Sequence, residues 1–131
     1  RLVPDQDPAE IARLVRDHLA RIAPPSVSVV VHDLHGGDGA IVDRKSPALR
    51  AAAQAYAASF GAEPIFVREG GSIPVVATFQ RVLGVETVLM GIGLPDDRLH
   101  SPNEKLHLPN FERGIDTAIH FLRLLADAGK G

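Results

Sequence analysis

At 131 residues and 14.0 kDa, with 45% of its residues hydrophobic, the chain fits one domain or pieces of two, and its composition excludes a disordered polymer. A formal net charge of -2 and a pI near 6.3 leave no basic stripe for a phosphate backbone, so nucleic acid is excluded as a partner. No apolar run is long enough to cross a bilayer, and the absence of cysteine rules out a disulfide framework and points to a reducing, cytoplasmic compartment.

The chain opens on Arg1, its single methionine is Met90, and no charged-then-apolar leader precedes the first element; it reads as a fragment excised from a longer protein. Asp7-Pro8-Ala9-Glu10 supplies an N-cap acceptor, a proline at the first helical position and a glutamate placed to close a capping box. Ile11, Leu14, Val15, Leu19 and Ile22 then recur at helical spacing until Pro24-Pro25 stops the helix. Val27, Val29 and Val31 alternate with Ser28, Val30 and His32, which predicts a strand running into the turn His35-Gly36-Gly37-Asp38-Gly39.

Ser46-Pro47 repeats the cap-then-proline start, Leu49, Ala52, Ala53, Tyr56 and Phe60 share one helical face, and Gly61 can end that helix. A strand over 65–68, a turn at Gly70-Gly71-Ser72, a helix from Pro74 to about Leu83 closed by Gly84, and a strand over 86–92 follow. Residues 93–109 form a polar loop with three prolines, of a length that in a compact domain is usually functional or disordered. Phe111, Ile115, Ala118, Ile119, Leu122 and Leu125 mark a last amphipathic helix. Alternating strands and helices predict an α/β fold, a layered sheet flanked by helices, with a boundary between two substructures within residues 36–40.

Four motifs stand in order: RLVPDQDP at 1–8, LHGG at 34–37, REGGSIP at 68–74 and HSPNEK at 100–105. Together they resemble the C-terminal part of the di-zinc aminoacylase and carnosinase-type dipeptidases, the metallopeptidase family that includes the cytosolic non-specific dipeptidases. The resemblance implies a catalytic domain interrupted by a small α/β lid that mediates homodimerisation, with residues 1–36 the second half of the lid and 37–131 the C-terminal segment of the catalytic domain. It implies hydrolysis of dipeptides or short peptides by two divalent ions, zinc or else manganese or cobalt, which polarise the scissile carbonyl and ionise water near neutral pH.

By the same resemblance His100 is a metal ligand, Glu69 meets the substrate's amino group, and Gly71 and Ser72, with Gly70, form a substrate-contacting turn. Arg1 grips the substrate's carboxylate, where a planar fork suits the ligand, and His35 contacts the same end. No catalytic residue lies in this stretch, so the fragment alone is expected to be inactive. Glu69 and His100 follow strands or the loops leaving them, where ligands gather in open α/β sheets.

Each residue also has a local reading. Gly70-Gly71-Ser72 can be a plain turn with a serine cap, Glu69 and Arg68 a solvated ion pair, and Asp96 and Asp97 a solvated charge pair. His100 alone has no metal-spaced partner, His107 reads as structural or surface, His32 and His35 as turn residues, and His18 and His120 as partly buried helix residues. Two other functions remain open: a desuccinylase or deacetylase of acylated amino acids, and a stand-alone α/β binding or oligomerisation module.

Overall fold

A computed structural model describes residues 2–68 and 74–128. Four helices are present among them: α1 Pro8–Ile22, α2 Pro47–Phe60, α3 Pro74–Leu83 and α4 Leu108–Ala128. The local chemistry of their ends sets the first two. Asp7 accepts from the Glu10 amide at 2.8 Å, and Ser46, buried, accepts from the Leu49 amide at 3.2 Å. Gly61 ends α2 in the left-handed region at φ 72°, and Gly84 follows α3 at φ 64°.

The capping box expected at α1 is only half formed. Glu10 turns away from Asp7 and pairs with Arg13, which also reaches Asp17 at 2.8 Å, because the helical ladder of opposite charges at three and four residues offers the carboxylate a charged partner. The final helix begins at Leu108, earlier than its apolar stripe implies; the His107 carbonyl accepts from the amides of Asn110 and Phe111 and so opens the first turn. His18 is exposed rather than partly buried, with its Nδ1 3.1 Å from Arg21.

No strand occurs among the described residues. The segments 27–31, 65–68 and 86–92, expected as strands, carry no strand assignment, and Val27, Val29, Val30, Ile65, Val67 and Leu89 are exposed. A strand exists only through a ladder to a neighbour, and no such ladder joins these segments to one another.

The chain divides into two compact units. The first comprises Arg1–Ile41 and Val67–Thr87. Within it α3 rests on the segment 38–41: Gln80 Nε2 donates to the Ile41 carbonyl at 3.2 Å, Arg81 pairs with Asp38 at 3.0 Å, and Val76 is buried. The second comprises Val42–Phe66 and Val88–Gly131, and its centre is the pairing of α2 with α4. Leu49, Ala51, Ala52 and Ala55 bury the small-residue face of α2, which lets the helices approach closely, and α4 contributes Asn110 and Thr117 to the buried layer. Thr117 satisfies its hydroxyl within its own helix by donating to the Arg113 carbonyl at 2.7 Å.

Candidate functional site

In the second unit the apolar segment 88–92 is clamped from two sides. The Tyr56 hydroxyl of α2 donates to the Gly91 carbonyl at 2.7 Å, and Asn110 Nδ2 of α4 donates to the Ile92 carbonyl at 3.1 Å. Ile92 also fits where α4 has no side chain: a Cβ on Gly114 would lie 2.8 Å from its Cδ1. The chain therefore leaves Ile92 from a fixed point and enters the loop that carries HSPNEK.

That loop is organised by Asp97. The sequence suggested a solvated pair with Asp96; instead Asp97 is 1% exposed, and its carboxylate accepts from the Leu94 amide at 2.6 Å and from Lys105 Nζ at 3.1 Å. Its carbonyl accepts from the Lys105 amide at 3.1 Å, closing the loop 97–105, while its own amide donates to the Leu94 carbonyl. Asp96 stays exposed and shares Lys105 at 3.1 Å. The Leu94 amide first and then Lys105 hold the Asp97 carboxyl below the usual carboxylate range, and Asp96 with Asp97 raise the Lys105 ammonium. Nothing in the sequence pattern marks Asp97 as buried, since its partners are an amide three residues back and a lysine eight residues on.

Within this closed loop Arg98, His100 and Asn103 adopt φ values of 55°, 62° and 62°. Left-handed backbone is uncommon in residues other than glycine and persists only where the surroundings fix it. His100 is exposed, its amide donates to Glu104 Oε2 at 3.3 Å, and among the described residues its ring has no hydrogen-bond partner. The Ser101 hydroxyl donates to the Arg98 carbonyl at 2.6 Å.

His35 belongs to the first unit and is exposed. The glycine-rich segment around it runs close over the start of the chain: a Cβ on Gly36 would meet Pro8 Cβ at 3.2 Å, and one on Gly39 would lie 2.7 Å from the Val3 carbonyl group. The segments bearing His35 and Val3 are thus neighbours. Arg1, Glu69, Gly71 and Ser72 lie outside the described residues, as does Gly70.

Among the described residues no three histidines, cysteines or carboxylates gather to hold a metal ion. His100 fits one place in such a shell, an exposed imidazole on a braced loop, and the described residues add no second donor to it. An apolar hollow of about 340 Å³ between α2, α4 and the segment 90–92 offers no chemistry, because the hydroxyls of Tyr56 and Thr117 on its wall are already engaged. No described helix is long and apolar enough to cross a membrane.

The model of the peptidase family M20/M25/M40 matches residues 7–124, most of the chain. The chain belongs to this peptidase family. Within the family it is 33% identical to the Cys-Gly metallodipeptidase DUG1 of Saccharomyces cerevisiae, over 98% of this chain and 27% of that protein. It is 32% identical to the human Beta-Ala-His dipeptidase, over 87% of this chain and 23% of that protein. A solved structure of the Saccharomyces cerevisiae di-peptidase Dug1p superposes with a TM-score of 0.80 at 31% identity, covering 95% of this chain and 27% of that one. The chain thus spans about a quarter of the length of the curated relatives it matches, and its M20-type fold is that of the corresponding stretch of Dug1p.

Proposed function

We propose that this chain is the C-terminal part of a metal-dependent peptidase that hydrolyses dipeptides or short peptides, and that it supplies one metal ligand and several substrate contacts. His100 is that ligand. Its exposure on a loop braced from within, in a chain of family M20/M25/M40, is the observation that carries the reading. Two divalent ions, zinc in this reading, would supply a polarised carbonyl and a nucleophilic water when bound. Arg1 and His35 take the substrate's carboxylate end, Glu69 its amino end, and Gly71 with Ser72 the turn beside it. The neighbouring segments of Val3 and Gly39 support a common site for the carboxylate end.

The segments 27–31, 65–68 and 86–92 are strands of a layered sheet whose partners lie in the rest of a longer protein. Their exposed valines and isoleucines support this. Residues 1–36 complete a lid through which the whole enzyme dimerises, and 37–131 complete the catalytic domain, in a cytoplasmic enzyme. The Cys-Gly and Beta-Ala-His relatives support a substrate with both termini free.

The test is a dipeptidase assay on the full protein and on the 131-residue chain. Metal-dependent turnover is expected only from the full protein, with loss on His100→Ala. Turnover by the chain alone, or a full protein indifferent to a chelator, would overturn the reading.

A further inference from the structure

We infer that Asp97 is a positioning residue for His100, acting through the loop it closes. The inference rests on the metal-ligand reading of His100 and extends it to a residue that touches neither ion nor substrate.

Asp97 is the one charged side chain buried among the described residues. An ionised carboxylate persists away from water only where its acceptor capacity is filled. Here one oxygen accepts from the Leu94 amide and the other from Lys105 Nζ, and the main chain of the same two residues, 97 and 105, is joined as well. The ring so closed contains all three left-handed residues of the loop. Gly93 makes room for it, since a Cβ there would come within 3.2 Å of Asp97 Oδ2.

A free loop would let Arg98 relax out of the left-handed region, where its side chain is disfavoured, and would leave His100 and Asn103, types that enter that region more readily, free to exchange in and out of it. Closure at both ends removes that option. The His100 amide is also engaged by Glu104, inside the same ring, so the backbone that aims the imidazole is fixed from two directions. Asp97 is therefore to His100 what an outer-shell carboxylate is to a ligand, except that it sets the backbone of the ligand and not its ring nitrogen.

The experiment compares His100→Ala, Asp97→Asn, Asp97→Ala and Lys105→Met in the full protein. It reads amide hydrogen exchange across residues 98–104 without metal, and zinc affinity by chelator competition. Asp97→Ala is expected to speed exchange in that window roughly tenfold or more and to weaken zinc by roughly 10–100-fold, the range seen when outer partners of metal ligands are removed. Asp97→Asn, which keeps an acceptor for Leu94, and Lys105→Met, at a half-exposed position, are expected to fall between Asp97→Ala and the parent. Unchanged exchange outside the window shows that the fold is intact.

If His100→Ala leaves zinc affinity unchanged, the ligand reading fails and the inference falls with it. If His100→Ala weakens zinc while all three clasp variants leave exchange and affinity at parental levels, the inference alone is overturned.

Discussion

Two irregular segments carry the candidate histidines, and they are fixed by opposite means. Around His35 the chain is held by what is missing: Gly36 and Gly39 have no side chains, so the backbone passes against Pro8 and Val3, and a nearby ion pair, Arg81 with Asp38, is exposed. Around His100 the chain is held by what is buried, the carboxylate of Asp97 with its amide and ammonium partners. The first device depends on shape, with no charged side chain at its close approaches to Pro8, Val3 and Pro4. The second depends on charge and holds only while the charges last.

The largest effect expected from breaking this contrast is at Gly39. Its Cβ would collide with backbone atoms of Val3 and Pro4 at 2.7–2.8 Å, and backbone has no rotamer with which to yield. Gly39→Ala should cost about 2 kcal/mol, the middle of the overpacking range, seen as an earlier urea midpoint. Next comes Asn110→Ala in the second unit. It leaves the Ile92 carbonyl without its donor and should cost about 1–2 kcal/mol, with faster exchange in the loop that Ile92 feeds.

Acid should then separate the two segments. Because the folded state depresses the Asp97 carboxyl, its contribution is complete above the ordinary aspartate value, about 4, and is lost as pH falls through the lower folded value. Lys105 is raised, so its share is complete below the ordinary lysine value of about 10.4 and is lost only above it. The clasp, with Asp96 and His107 beside it, should therefore hold between these limits. On acidification amide exchange should quicken in residues 94–105 first, while residues 36–41 follow only with global unfolding. The smallest effect is expected from Arg81→Ala, which removes an exposed pair and should change stability by about 0.5 kcal/mol or less in a thermal melt.

What the sequence made legible was local. Asp7, Ser46 and Gly61 act within one helical turn, and α1 begins, and α2 begins and ends, where those residues place them. The strands were not legible in the same way, because a run such as Val27 to Val31 becomes a strand only beside a partner. The last helix shows the limit most clearly. Its apolar stripe suggested that Ile115, Ile119 and Leu122 face inward, yet they are 49%, 54% and 64% exposed, while the polar Asn110 and Thr117 are buried. Periodicity identifies a stripe and is silent about what covers it. At the candidate site His35 was legible as a turn residue and His100 as a loop residue, whereas the brace at Asp97 was not, since a buried aspartate and a solvated one share the same letters.

The α2 and α4 pairing has a temporal side. Helix α2 is made well before α4 on a ribosome, and until α4 emerges its alanine face lacks that partner. A contact so distant along the sequence forms slowly and leaves that face open to other molecules in the meantime. The alanines that allow two helices to approach closely also expose little greasy surface while the first helix waits for the second.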